Sequence, residues 1–379
     1  MRLAIVTNTL TPYRNPVFAR LSARAGVDLM VLTFSEDQAH RQWPLNSLYE
    51  AKTFPCYRLS GRGGRFRMWR ALRRFNPEAV VLGGYDVVEF QHALVYCKLH
   101  RKKAILWSGT TSRSVRRLGL VRFARNAFIR SMDSYVAYGR LAREFLIDSG
   151  ATAERIVTGY NTVDVSFFEE RADSFRNTPN YKELRSRIAP VSLLFVGRLI
   201  DGKGFCQLLA ALERMERSSF TLVVLGDGPL RAEFESETRR RGIKTFFEGF
   251  RGAEELPAYY AACDVFVFPT LNDVWGLVIN EAMACGMPVV SSTEAGASYD
   301  LVENGHNGWI VNPLDTARLA GILGELIADG ELRKKMGEAG ARAVRKFTPD
   351  SLADAILTAA GSVTGSLELT EPNCGSCEI

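Results

Sequence analysis

Long apolar runs are missing from this sequence. None of its 379 residues lies in a stretch approaching the roughly 18–20 consecutive apolar residues that span a bilayer, and the first residues run straight into a strand-like segment. A soluble or peripheral protein is expected. Cysteine is sparse and odd in number: the seven are Cys56, Cys97, Cys206, Cys263, Cys285, Cys374 and Cys377, most of them inside apolar runs. That pattern argues for reduced, buried thiols in a cytoplasmic protein and against a disulfide framework. Cys374 and Cys377 form a Cys-x-x-Cys in a polar tail, but zinc needs about four ligands and no second pair is in view, so a structural zinc there is not expected. Histidine is rarer still. His40, His92, His100 and His306 are the only four; the last three read as helix or turn residues, and none is assigned to catalysis.

What is present points to two α/β domains. The length exceeds the usual single-core limit of about 250–300 residues. Charge divides unevenly: residues 1–170 hold 26 Lys and Arg against 14 Asp and Glu, a balance of +12, whereas the remainder holds 22 against 28. A basic half joined to an acidic half suggests different partners. Short apolar runs at 2–7, 27–34, 78–84, 103–107 and 134–139 read as buried parallel strands, with helical stretches between them. Residues 169–190 lose periodicity and turn polar, which predicts a linker. A second series of strands follows at 191–197, 220–226, 245–249, 263–269 and 287–292. Helices are expected near 315–328, 330–346 and 350–362, then a disordered tail over 364–379. The fold class is thus two doubly wound, Rossmann-like sheets facing across a cleft. Domains are expected at 1–168 and 191–348, with a helix over 349–363 returning to the first. Such sheets bind ligands beyond the carboxyl ends of their strands, which makes the cleft the default site.

Three segments of the second series carry chemistry. "FVGRLIDGKG" sets Gly197, Arg198 and Lys203 just past a strand, where two cations suit an anionic ligand; solvated loop charges are the plainer alternative. "LGDGPL" places Asp227 and Gly228 at the next strand mouth. In "NDVWGLVINEAMACGMPVV", Gly276 precedes a helix starting near Leu277. The amides of Trp275, Gly276, Leu277 and Val278 are then the unpaired donors of a helix start, aimed at an anion. Glu281, about a turn in, is placed to accept from vicinal hydroxyls, and Asp273 to reach a second hydroxylated ring. The plainer alternative is that Asp273 caps the loop and Glu281 is a surface charge favoured by the helix dipole.

The order GR-x4-KG, GDGP, then D-x7-E followed by "AMACGMPVV" and "ENGHNGWIV" (303–311) resembles the retaining nucleotide-sugar glycosyltransferases of family GT4, which have the GT-B fold. The resemblance is detailed over about 191–311. It implies that Arg198 and Lys203 hold the donor diphosphate, that Glu281 grips the ribose, and that Asp273, where the family usually has Glu, contacts the transferred sugar. The amides after it would meet sugar and phosphate, and Arg251 falls in the base-contacting loop. UDP or GDP is the implied carrier. Two departures concern the first domain. The loop after its first strand reads "TNTLTPYRNP", with Asn8, Thr11, Tyr13 and Arg14 where many members have Gly-Gly. "KAILWSGTT" offers Trp107, Ser108, Gly109 and Thr110 where many have His.

No two of the sixteen aspartates sit two positions apart, so the Asp-x-Asp metal signature of the other glycosyltransferase fold is absent. The resemblance implies transfer with retention, no metal and no further cofactor, to a glycan or lipid-linked acceptor in cell-surface polysaccharide or glycolipid synthesis. "GRGGRFRMWRALRRF" (61–75) and "SRSVRRLGLVRFARNAFIR" (112–130) interleave Arg with apolar residues at helical spacing. They read equally as solvated helix faces or as a patch for an anionic membrane, where each cation is worth about 1 kcal/mol. Nucleic acid is not expected, because no recognised binding module is present. A nucleotide-sugar epimerase of similar shape and an inactive sugar-nucleotide binder are the alternatives.

Overall fold

The computed structural model describes residues 1–34, 53–59, 61, 63–115 and 119–365. Seven parallel strands form the first sheet: β1 Arg2–Thr7, β2 Asp28–Thr33, β3 Cys56–Arg58, β4 Ala79–Leu82, β5 Lys103–Ser108, β6 Ser134–Ala137 and β7 Ile156–Thr158. Their order across the sheet is β3-β2-β1-β4-β5-β6-β7. Six more form the second sheet: β8 Ser192–Val196, β9 Thr221–Leu225, β10 Thr245–Gly249, β11 Val265–Phe268, β12 Val289–Ser292 and β13 Gly308–Val311. These run in the order β10-β9-β8-β11-β12-β13. The strand order of each sheet reverses once, between β1 and β4 and between β8 and β11, the kind of switch point beside which such sheets hold ligands.

The central strands are apolar on both faces because helices cover both. In β4 and β8 every residue is buried, so the alternation typical of a half-exposed strand has no place there. Strands β3, β7 and β13 are not apparent in the sequence pattern. They are three- or four-residue edge strands, too short to show a period.

The segment 169–190 joins the two sheets, but not as the aperiodic linker expected. It is occupied by two capped helices, Val165–Arg176 and Pro179–Ile188. Asp164 accepts from the Phe167 amide at the first and Thr178 from the Tyr181 amide at the second, where Pro179 begins the helix. The first turns Val165, Phe168 and Ala172 inward against the helices Leu256–Ala262 and Leu277–Ala284. Its apolar face is narrow and its exposed face highly charged, so the segment resembles a linker in sequence.

Helix Pro349–Thr364 crosses back to the first sheet, packing on helix Arg14–Ala23 and on β5, β6 and β7. A capping box at Thr348 and Ser351 starts it, and Asp350 and Asp354 pair with Arg20 and Arg24. The tail expected to be disordered lies outside the described residues beyond 365, as do Cys374 and Cys377. Of the other thiols Cys97, Cys263 and Cys285 are buried, while Cys206 is exposed, against expectation, on the outer face of its helix. Among the described residues no helix is long and apolar enough to cross a membrane.

Candidate active site in the cleft

Glycines bring the loops of the second sheet into backbone contact. Gly226, after β9, has φ +128, and a Cβ there would sit 1.9 Å from the Gly197 carbonyl oxygen. Gly204, at φ +71, has the Pro269 carbonyl oxygen 1.8 Å from where its Cβ would be. No other residue type fits either place. The Gly197 amide donates to Leu225 and the Leu199 amide to Asp227, so the mouths of β8, β9 and β11 form one rigid rim. Asp227 folds onto the Gly228 amide at 2.7 Å and lies 3.5 Å from Arg231.

On that rim Arg198 is exposed and its side chain has no hydrogen-bond or ion-pair partner among the described residues. Lys203 is different. Its Nζ donates to Asp273 Oδ2 at 2.6 Å, and both side chains are about one-fifth exposed. Asp273 Oδ1 accepts from the Trp275 amide at 3.1 Å. This corrects the expectation that Trp275 N–H is a free donor: the preceding carboxylate already uses it, as an Asx turn does. Gly276, at φ +97, then starts helix Leu277–Ala284, whose first amides at Leu277 and Val278 have no acceptor within the helix itself. Asp273 therefore caps its loop and also pairs with Lys203.

Glu281 is fully buried, which removes the alternative of a surface helix charge. The Tyr260 hydroxyl donates to its Oε2 at 2.8 Å. Tyr13, from the first-domain loop, approaches the same carboxylate, while Oε1 has no hydrogen-bond partner among the described residues. Burial pushes the carboxyl up to about 7, against the smaller opposing pull of the two tyrosine hydroxyls. Tyr260 in turn has its phenol held well above the usual range by burial and by Glu281. Nothing in the sequence marks Tyr260, which reads as one more core aromatic of "LPAYYAA". Arg251 is engaged internally, on Glu255 at 2.9 Å and Glu248 at 3.2 Å.

The first domain meets this rim with bulkier groups. Thr11 is buried and its Oγ1 accepts from the Arg14 amide at 3.2 Å. Arg14 donates to Thr7 and, at 2.9 Å, to the Tyr138 hydroxyl, with its guanidinium 4.8 Å from the centre of the Trp107 ring. Ser108 is buried and accepts from the Thr110 amide at 3.2 Å, and Asn8 Oδ1 is buried without a partner among the described residues. Asn8, Thr11, Tyr13, Arg14 and Ser108, expected on the acceptor side or in the cleft, thus gather at the mouths of β1 and β5.

Further contacts tie the domains together at one end of the cleft. Asp300 accepts from the Arg140 amide at 3.0 Å, at the start of helix Arg140–Asp148. Burial raises its carboxyl to about 6. The Tyr299 ring has Arg113 at 5.1 Å and Arg140 at 5.3 Å. A Cβ on Gly139 would collide with Asp300 and Trp275, so the close approach requires glycine there.

A family model described as glycosyl transferases group 1 matches residues 182–343, the part of the chain that holds all of these second-domain groups. The sulfoquinovosyl transferase of Arabidopsis thaliana is 29% identical over 238 residues, 60% of this chain and 43% of that protein. The GDP-mannose-dependent alpha-(1-6)-phosphatidylinositol monomannoside mannosyltransferase of Mycolicibacterium smegmatis is 31% identical over 237 residues, 60% of each chain. The chain thus spans about half the length of the curated relatives it matches. Anabaena HepE, solved in complex with UDP, superposes with a TM-score of 0.75 at 20% identity, over 96% of this chain and all of the other. With the motifs inside the matched region, residues 182–343 are similar to the group 1 glycosyl transferases, and with both sheets superposing the chain has the GT-B fold.

Proposed function

We propose that the protein transfers a sugar from a nucleoside diphosphate donor to a glycan or lipid-linked acceptor, with retention at the anomeric carbon and without a metal. The observation that carries this reading is Glu281: a fully buried carboxylate behind a helix start, with Oε1 unpartnered, suits a pair of ribose hydroxyls. Two donated hydrogen bonds would compensate the burial of its charge, which nothing in the ligand-free site does fully.

Arg198 and Lys203 would take the diphosphate, with the amides of Leu277 and Val278 beyond them. In the reaction the acceptor hydroxyl oxygen bonds to the anomeric carbon while the bond from that carbon to the diphosphate oxygen breaks. The electron pair leaves with the diphosphate, and the acceptor proton passes to a phosphate oxygen on the same face. Fixed cations beside the departing oxygens stabilise the negative charge as it develops. Asp273 would meet the sugar hydroxyls. No protein nucleophile is needed.

The acceptor reading is supported by the first domain's surface. In helix Gly119–Arg130 only Ile129 is buried; Leu120, Val121 and Phe123 are 88%, 60% and 73% exposed, beside Arg122. An apolar edge flanked by arginines suits docking on an anionic membrane, in line with a lipid acceptor and a peripheral location on the inner face. One of the named relatives is in keeping with this, since it carries a phosphatidylinositol monomannoside in its name.

Thermal shift with UDP, GDP, ADP, TDP and CDP tests the reading, with Arg198→Ala as control. Ligand at 100 times its dissociation constant adds about 2.7 kcal/mol. One nucleotide should raise the wild-type midpoint and leave the variant's unchanged. No response to any of the five would overturn the assignment of Arg198, Lys203 and Glu281.

A further inference from the structure

Among the first-domain groups at the cleft, Arg14 carries the charge. It is partly buried at the mouth of the first sheet, where the ends of β1, β5 and β6 converge on one guanidinium: Thr7 closes β1, Trp107 lies in β5, and Tyr138 follows β6. Its contacts there are a hydroxyl, a phenol and a π face, all neutral, and no carboxylate lies within ion-pair distance among the described residues. The helix it opens, Arg14–Ala23, has no acidic residue in its first turn to offset the positive end of its dipole.

Among the described residues the surroundings add unused donors beside one unused acceptor, Asn8 Oδ1. The indole on which Arg14 stacks is fully buried, and its Nε1–H has no partner among the described residues. Thr9, on the same loop and 2% exposed, has a hydroxyl that also lacks a partner among the described residues. A cation withdrawn from water without a counter-charge, among unused donors, is costly unless something negative completes the cluster. The neighbouring residue on this loop, Tyr13, reaches toward Glu281 of the opposite domain, so the cluster borders the cleft.

We propose that Arg14 is the centre of an anion-binding site on the first-domain side of the cleft, taking a phosphate or carboxylate group of the bound substrates. The guanidinium fork binds such a group through two parallel hydrogen bonds. Two sources have this chemistry: an acidic group on the acceptor, or the donor's diphosphate reached from across the cleft. The inference rests on the cleft being the transfer site, and the test separates its failure from that of the nucleotide-sugar reading.

Calorimetric titration of the full chain decides it, using wild type, Arg14→Gln, Arg14→Lys and Arg198→Ala. The probes are UDP and GDP for the donor source, and glucuronic acid and glucose 6-phosphate for the acceptor source, with glucose as the neutral control. Arg14→Gln should weaken the acidic members of one set tenfold or more and leave glucose unaffected, which a merely structural role would not do. Loss confined to UDP or GDP assigns the diphosphate; loss confined to the acidic sugars assigns the acceptor. If neither nucleotide binds wild type but the acidic sugars bind and fall in Arg14→Gln, the nucleotide-sugar reading fails and the anion site stands. Wild-type affinity for every anionic probe in Arg14→Gln overturns the proposal, and so does a wild type that binds none of them. Should Arg14→Gln fail to fold, Arg14→Lys carries the test: the charge without the fork should cost at least threefold, and unchanged binding overturns the proposal.

Discussion

The two walls of the cleft hold their charges in opposite ways. On the second domain Lys203 has Asp273 at 2.6 Å, and the loops around it interlock through glycines with no space for a side chain. On the first, Arg14 leans on Trp107 and Tyr138 with no acid beside it, and its loop carries Pro, Tyr and Asn rather than glycine. The same contrast separates the two carboxylates of the D-x7-E motif. Asp273 is half-buried and paired with a cation, whereas Glu281 is fully buried with only phenols near it. Eight positions apart on one loop and helix, they differ because one looks along the rim and the other into the packing beneath it. Glu281 shows the consequence, its carboxyl raised by burial.

The largest effect that sharpens this contrast belongs to Arg198→Ala. Removing an exposed cation leaves the fold intact, yet turnover should fall on the order of 10²–10³-fold if the charge stabilises the leaving group. Near-normal single-turnover rates in that variant would mean that the second domain's cations are not the catalytic ones.

Next comes the buried carboxylate. Its folded-state pKa of about 7 lies above the ordinary 4.5, so between those values the folded protein holds a proton that the unfolded chain releases. Stability contributed by the protonated form is therefore present at low pH and lost as pH rises through about 7. The loss is roughly 3 kcal/mol, since each tenfold change in proton affinity is worth about 1.4 kcal/mol. Glu281→Gln should flatten this part of the ligand-free stability profile between pH 5 and 8, raise the midpoint at pH 8, and weaken nucleotide binding. Denaturant titrations across that range that keep the wild-type slope in the variant would show that Glu281 is not the titrating group.

A smaller effect compares backbone with backbone. Gly226→Ala forces a Cβ onto the Gly197 carbonyl at a left-handed φ and should cost at least about 1–3 kcal/mol by chemical denaturation. Gly119→Ala, on the first domain, meets nothing within 4 Å and should be neutral or stabilising by about 0.5 kcal/mol. Equal losses would contradict the rigid-rim account.

The smallest effect on the folded protein belongs to the first domain's outer face. Leu120→Ser with Phe123→Ser should leave the thermal midpoint and nucleotide response unchanged while lowering co-sedimentation with anionic vesicles about tenfold or more at low salt. Wild type that ignores vesicles at low salt would remove the membrane reading altogether.

Much of this is legible in the chain. The repeating strand–helix pattern and the doubled series follow from runs such as "AVVL" and "SLLFV", whose uninterrupted apolarity suits only strands covered on both faces. The helix start after Gly276 is legible too, because a glycine before a long apolar run marks where the backbone turns. Edge strands of three or four residues are not, and neither are the helices at Val165–Arg176 and Pro179–Ile188, whose caps outweigh a weak period.

The sequence by itself determined the two sheets, the glycine-bounded loops and the set of polar groups available at the strand ends, since these depend on local pattern and backbone sterics. Tertiary structure decided which of those groups meet. Lys203 and Asp273 pair across 70 positions and Tyr260 meets Glu281 across 21. Asp300 reaches the start of a helix in the other domain, 160 positions away. Whether a charge is paired, neutralised by burial or left waiting for a ligand depends on neighbours the chain brings together only when folded, because desolvation and Coulomb energy are set by distance in space.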